Sequence, residues 1–279
     1  MSLSFQTNVT ALTAEHNLQV NSQFQSATIT RLTSGFRINN SGDDAGGLAV
    51  ANGLRSTISE LTQGVRNAND GTNILQVIDG GLNNISNILD QLKSLATQSA
   101  SGTFQGSRST LNSQFTTLLG ELDRQAANIG LASGSGAASQ YNASFSVYIG
   151  GGSDQTNAQV TIDLSGSGNV VDSNGLGLAG DTIDTSTNAL AAITDITAAV
   201  QQLGLTQGSV GTGENDLSYA VNLAQSQITN LSASESSIRD ADIAAEAANL
   251  TKSQVLEQSS VAALAQANAA PQALLKLLQ

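Results

Sequence analysis

The sequence lacks most of the side chains from which enzyme sites are built. Its 279 residues contain no cysteine, no tryptophan and a single histidine, and aromatic residues make up only 3% of the chain. Nucleophilic, acid–base and metal-binding chemistry relies heavily on cysteine and histidine, so no site based on those residues can be assembled here. The absence of cysteine also excludes a disulfide scaffold, although it does not fix the cell compartment.

Positive charge is scarce and unevenly distributed. The chain has 10 lysines and arginines against 22 aspartates and glutamates, which gives a net charge of −12. No lysine or arginine occurs between Arg124 and Arg239. Because nucleic-acid binding needs clustered cations that neutralise phosphates, the composition argues against a nucleic-acid partner.

Long apolar runs are absent as well. No uninterrupted apolar segment reaches the length of a membrane-spanning helix, so we expect no membrane partner. The first cation is Arg31, so the N-terminus lacks the basic start and apolar centre of a secretory signal peptide. The sequence predicts a protein that stays inside the cell or is exported by other machinery without a cleaved signal.

Helical periodicity runs through both ends of the chain. Apolar residues recur there mostly at steps of three, four or seven, which is typical of helices that bury one face. Such one-sided stripes favour coiled-coil-like assembly. Ten positions are the predicted assembly stripes: Phe5, Val9, Leu12, Val20, Phe24, Leu32, Ile243, Leu250, Val261 and Leu264.

Three further helical patterns lie between the ends. Residues 58–96 predict one long helix, although glycines make a break near Asp79 the alternative. A second pattern covers residues 111–129. The third covers residues 190–231, where the glycines between 204 and 213 leave the continuity of the helix open. The three patterns together are the predicted core.

The middle of the chain changes periodicity. Two segments alternate with period two around a glycine-rich turn and predict a β-hairpin at about residues 144–164. Residues 175–180 match the letters GxGxxG, with Asp195 further on. A dinucleotide site needs a preceding buried strand and a βαβ unit, which this context does not supply. We therefore interpret these glycines as turn residues and expect no cofactor.

A polar segment separates the first two helical patterns. Short polar residues at 39–44 compete with helix continuation, and Ser41 and Asp44 have the spacing of a capping box. The alternative interpretation of Asp43 and Asp44 is a catalytic pair of carboxylates. The residues predicted to form this joint are Arg31, Gly35, Arg37, Asn39, Asp43 and Asp44.

Two motifs carry a family resemblance. RLTSGFRIN at residues 31–39 and DDAGGLAVA at residues 43–51 closely resemble the N-terminal signature of bacterial flagellins. SIRDADIAAE at residues 237–246, followed by LAQAN at residues 264–268, resembles the C-terminal signature. The resemblance covers roughly residues 1–130 and 185–279. The glycines at 204–213 and Asp216, where an arginine is common in the family, depart from the pattern.

The resemblance implies a mainly α fold in which long coiled-coil-like helices from both chain ends form an extended helical bundle. It implies a terminal assembly domain of residues 1–42 and 236–279, an inner helical core domain of residues 43–235 that includes the hairpin, and no large outer domain. The chain would then be a non-enzymatic subunit of the extracellular flagellar filament, the propeller for swimming, exported through the flagellar type III channel.

The partners implied by the resemblance are other copies of the chain, an export chaperone, the filament cap and the hook-junction proteins. Many flagellins are also bound by a Toll-like receptor, and the matching positions are Gln91, Leu95 and Gln114. The family pattern has arginine at the first and glutamate at the third, so we expect weak recognition. Two rivals remain: a hook-filament junction protein, which would not be expected to carry the LAQAN ending, and an acidic glycine-rich enzyme.

Overall fold

Long helices dominate the structure, a computed structural model that describes residues 7–134, 136–150 and 158–277, with side chains up to residue 269 except Ser167. The α-helices of the described part are α1 (Val9–Ser34), α2 (Ala45–Ala100), α3 (Arg108–Asn128), α4 (Ser186–Arg239) and α5 (Ile243–Leu277). Strands β1 (Ser144–Tyr148) and β2 (Gln159–Asp163) pair antiparallel, with Ser146 opposite Thr161. The prediction of a mainly α fold with a small hairpin is confirmed.

The chain forms two compact units. One contains the described residues up to Ser56 together with those from Asn230 onwards, and the other contains Thr57–Thr229. The first unit therefore combines residues from both chain ends, and the hairpin belongs to the second.

Short polar residues mark the helix starts. The side-chain oxygen of Asn8 accepts a hydrogen bond from the Ala11 N–H at 3.2 Å, and Ser107 caps α3 in the same way through Thr110 at 3.4 Å. These contacts satisfy N–H groups that have no partner within the helix.

The core of the second unit is built on α2, which is continuous over 56 residues, so the alternative of a break near Asp79 is wrong. Its apolar residues at steps of three and four are buried, as are those of α3 around Phe115. The prediction for the start of α4 was partly wrong. Leu190 and Val200 are exposed there, and the buried face carries smaller residues such as Ala192 and Ala199.

Three helix glycines lie where the hairpin approaches α2 and α4. A Cβ at Gly71 would lie 3.0 Å from Val147 Cγ2, and one at Gly213 would lie 3.0 Å from Ile162 Cγ2. At Gly64 a Cβ would collide with the Ile149 carbonyl oxygen. The absence of a side chain therefore permits close packing, which offsets the roughly 1 kcal/mol by which glycine disfavours a helix.

The segment between α3 and α4 is held by buried polar contacts. The Asp172 carboxylate is buried and accepts hydrogen bonds from the N–H groups of Ser133 and Gly175, each at 2.7 Å. Residues 175–180 lie largely in turns, where Gly177 (φ 73°) and Gly180 (φ 93°) have left-handed backbones. The interpretation of this glycine motif as turn residues is confirmed.

Candidate assembly site

The joint begins where α1 ends. Gly35 has φ 76° and ψ −2°, a left-handed conformation that favours glycine, and its N–H donates to the Arg31 carbonyl at 2.9 Å. The reversed chain then meets the residues that follow α4. Phe36 and Asp240 form an isolated antiparallel bridge, and the Ala241 N–H donates to the Gly35 carbonyl at 2.9 Å. The two signatures from opposite chain ends therefore form one structure.

Two arginines strengthen this junction. The Arg37 N–H donates to the Arg239 carbonyl at 2.7 Å, and the Arg37 guanidinium donates to the Ile238 carbonyl at 2.7 Å. The Arg239 guanidinium lies 4.1 Å from the centroid of the Phe36 ring and 3.8 Å from a Glu235 carboxylate oxygen. The cation–π contact links the two signatures through side chains as well as backbone.

The adjacent aspartates of the joint bind backbone N–H groups. Asp43 Oδ2 accepts from the N–H groups of Asn40 at 2.9 Å and Asn39 at 3.0 Å, and these bonds lower the pKa of Asp43 below its ordinary value of 3.8. Asp44 Oδ1 accepts from the Gly47 N–H at 2.8 Å. Asp44 therefore caps the start of α2. The predicted capping box of Ser41 and Asp44 was wrong, because it requires the helix to begin at residue 42 and α2 begins at Ala45.

Arg31 and Glu246 connect α1 to α5. The Arg31 guanidinium lies 3.9 Å from Asp43 Oδ1 and 3.6 Å from Glu246 Oε1, and Glu246 is only 9% exposed. Asp242 caps α5 by accepting from the N–H groups of Ala244 at 2.9 Å and Ala245 at 3.1 Å. The sequence motif around residues 237–246 pointed to this region, but it did not indicate the roles of Asp242 or Glu246.

Helices α1 and α5 pack along each other through small and polar side chains. The Asn21 side-chain amide donates to Ser260 Oγ at 3.0 Å, and the Asn8 amide donates to the Ala267 carbonyl at 2.9 Å. Apart from Arg31, the half-buried or buried residues of α1 follow heptad spacing: Ala11, Ala14, Leu18, Asn21, Gln25, Thr28 and Leu32. This polar seam was missed at the sequence level, although its heptad spacing was visible.

Most of the predicted assembly stripe lies outside that seam. Val9, Leu12, Val20 and Phe24 are 40–64% exposed, and Ile243 and Val261 of α5 are about half exposed. By contrast, Leu32, Leu250 and Leu264 are half-buried. Phe5 lies outside the described residues. Six of the nine described stripe residues are therefore at least 40% exposed within the subunit.

The three positions of the predicted receptor patch share one groove between α2 and α3. Gln91 and Gln114 are exposed, and Leu95 is half-buried between them and the half-buried Leu118. Serine and threonine side chains complete the lining. Two of the three predicted positions therefore present amide side chains to this groove.

Chemistry-bearing clusters are not found in the described ranges. Among these residues no group of three or more histidine, aspartate or glutamate side chains could hold a metal ion. No described helix combines the length and the hydrophobicity that crossing a membrane requires. What the fold and the joint define is a helical structural protein whose paired terminal helices carry uncovered apolar surface.

Comparison with known proteins identifies the family. A family model described as the bacterial flagellin N-terminal helical region matches residues 5–130, and the C-terminal helical region matches residues 193–278. A flagellin of Halalkalibacterium halodurans is 32% identical over 98% of both chains, and one of Listeria monocytogenes is 33% identical over 98% of both. A crystal structure of Bacillus cereus flagellin is similar with a TM-score of 0.48 and 24% identity, covering 61% of this chain and 94% of that one.

The chain belongs to the bacterial flagellin family. It is a structural subunit that self-assembles into the extracellular filament of the bacterial flagellum, which serves motility, and it is not an enzyme. The similarity over nearly the whole chain favours a flagellin over a hook-filament junction protein.

Proposed function

We propose that subunits of the filament contact one another through the apolar stripe on the outside of the α1–α5 pair. The observation that carries this proposal is the position of Val9, Leu12, Val20 and Phe24, which are 40–64% exposed on the side of α1 away from its polar seam. Contiguous apolar surface of this kind is normally covered by a partner. In a homopolymer the available partner is another copy of the chain.

The domain division follows from the same surface. Residues 1–42 and 236–279 form the assembly domain in this proposal, and residues 43–235 form the inner core that carries the hairpin. The joint at Arg31, Gly35, Arg37, Asn39, Asp43 and Asp44 would hold the paired helices in register through its backbone bridge. The boundaries at Ser56 and Asn230 between the compact units support a division of this kind.

A single charge placed on the stripe tests the proposal. Val20→Asp should slow elongation from filament seeds, measured by light scattering and electron microscopy, because each contact would then bury a carboxylate without a partner. The matched control is Ser22→Asp, which adds the same charge two residues along the same helix and therefore on a different face. Equal elongation of the two variants would contradict the proposal.

Export and accessory partners are further parts of the proposed function. The chain would leave the cell through the flagellar type III channel without a cleaved signal, and an export chaperone, the filament cap and the hook-junction proteins would bind it on the way. The family membership supports this route. Intact mass measurement on filament protein tests it, since removal of an N-terminal peptide would contradict it.

A second candidate function is weak recognition by the flagellin-sensing Toll-like receptor. The grouping of Gln91, Leu95 and Gln114 in one groove supports a shared binding surface. Both glutamines lack the charges of the family pattern, so charge-assisted hydrogen bonds would be missing and binding would be weak.

A further inference from the structure

The outer face of α4 carries large apolar side chains that do not belong to the core. Leu190, Leu205, Tyr219 and Leu223 are 58–72% exposed. At 100° per residue they lie on the side of the helix opposite the buried positions. Asp216 is exposed on the same side, three residues before Tyr219, and it has no hydrogen bond or ion pair among the described residues.

The outer face of α2 offers a complementary pair. Val77 is 67% exposed, and Arg66 is exposed and has no hydrogen bond or ion pair in the described part of the chain. Six other arginines do have polar partners there: Arg31, Arg37, Arg55, Arg108, Arg124 and Arg239. In the described part of the second unit, the cations without a partner are thus Arg66 and Lys93, and Lys93 is half-buried on another face.

The two faces match in spacing. Eleven residues separate Arg66 from Val77, and eleven separate Leu205 from Asp216. Eleven residues complete three helical turns, so each pair shares one face with its members about 16 Å apart. A basic residue and an apolar residue on α2 therefore have the same separation as an acidic residue and an apolar residue on α4.

The direction of the helices also matches. Within a subunit α2 and α4 run antiparallel, because Gly213 lies beside Leu75 while Gln207, earlier on α4, reaches Asn83, later on α2, at 3.4 Å. In a head-to-tail polymer, neighbouring copies can share one direction. The α2 helix of one copy then runs antiparallel to α4 of the next, as the pairing of Arg66 with Asp216 and of Val77 with Leu205 requires.

We propose that the outer face of α4 in one subunit docks on the outer face of α2 in the next, with Asp216 opposite Arg66 and Leu205 opposite Val77. The occupant is a second copy of this chain, so the inference rests on the filament function proposed above. A contact between two α4 faces would instead bring Asp216 against Asp216, on a stretch that contains no cation.

Charge reversal tests the contact. Asp216→Arg and Arg66→Asp should each raise the critical concentration for seeded elongation about tenfold or more, because like charges would face each other. The double variant should return it close to the wild-type value. Monomer melting should stay unchanged, since neither side chain has a partner in the described subunit. Normal elongation by both single variants, or a double variant no better than the singles, would overturn the contact.

Cross-linking gives a second measurement, because the natural chain contains no cysteine. Val77→Cys combined with Leu205→Cys should yield a ladder of disulfide-linked multimers from oxidised filaments and none from monomer. The control combines Val77→Cys with Leu190→Cys. Leu190 is similarly exposed, but it lies fifteen residues before Leu205 on α4, about four helical turns away from the position that would face Val77. If the Val77→Cys, Leu205→Cys variant forms normal filaments that give no ladder, this contact alone is overturned. Wild-type protein that never elongates seeds would overturn the proposed function as well. Normal filaments from every variant, with impaired swimming, would assign this face to another partner and also overturn the contact.

Discussion

Arg239 stacks on Phe36, with its guanidinium 4.1 Å from the ring centroid, although the two residues come from opposite ends of the chain. The backbone bridge between Phe36 and Asp240 runs beside this contact. A short junction therefore joins the two chain ends of the first unit through one side-chain contact and one backbone bridge.

The Phe36–Arg239 contact should contribute measurably to stability. Phe36→Leu and Arg239→Met should each destabilise the first unit, with a coupling of about 0.5–2 kcal/mol between them in a double-mutant cycle. Denaturant-induced disassembly of filaments compares the four proteins, because the chain ends that carry Phe36 and Arg239 are expected to be ordered only after assembly. Arg124→Met is the control, because Arg124 is exposed and pairs with Glu121 alone among the described residues, so the substitution should cost about 0–1 kcal/mol. A coupling near zero would mean that the stacking has no energetic role.

The core prediction concerns two leucines that are fully buried. Leu89→Ala and Leu122→Ala should each reduce the free energy of unfolding by about 2–5 kcal/mol, because both are 0% exposed and would leave cavities. Thermal or denaturant melting measures the change. Leu190→Ala is the matched control on α4, exposed and expected to change stability by about 0.5 kcal/mol or less. Either buried variant melting like wild type would remove that leucine from the core.

The joint should lose stability in acid. Hydrogen bonds from the Asn40 and Asn39 N–H groups lower the pKa of Asp43 below 3.8, so the folded state favours its ionised form. This contribution is fully present above the unfolded pKa and is lost as pH falls through the lower folded pKa. The stability difference between wild type and Asp43→Asn should therefore be largest above about pH 4 and shrink below it. A difference independent of pH would contradict the assignment.

The chain ends should order on assembly. Residues before about Asn40 and after about Ser236 are predicted to be largely disordered in the monomer and helical in the filament. The α1–α5 seam consists largely of small and polar side chains, which bury little apolar surface. Ordering each residue costs roughly 1–2 kcal/mol of backbone entropy. Brief proteolysis should trim both ends of the monomer and leave a folded core that cannot polymerise, while filaments resist. A protease of low selectivity is needed, since trypsin has no site between Arg124 and Arg239. Monomer ends that resist it would refute the prediction.

The monomer should activate the Toll-like receptor weakly, and two substitutions should raise that activation. Gln91→Arg with Gln114→Glu should raise the signal in a Toll-like receptor reporter assay, because each charge-assisted hydrogen bond contributes about 1.5–3 kcal/mol. Both positions are exposed in the groove, so the fold should tolerate the changes. Thr117→Glu, in the same groove, controls for added charge. Full potency of the wild-type monomer would refute the prediction.

The sequence by itself determined the type and order of the main elements. Steps of three and four in the apolar residues indicated α2, α3 and α4, and alternation indicated the hairpin, because these periods follow directly from backbone geometry. The two signatures at residues 31–51 and 237–246 also identified the family, since they reflect specific residues rather than packing.

Only the tertiary structure decided which faces are covered. Gly71 and Gly213 weakened the prediction of continuous helices when helix propensity was considered alone, whereas the hairpin packs against both positions. Leu190 fitted the helical period but is exposed, because the partners of α4 select the face with smaller residues. The contact between Phe36 and Arg239 had no local signal, since it depends on how two distant segments meet. Local periodicity specifies a helix, but burial is a property of its neighbours in space.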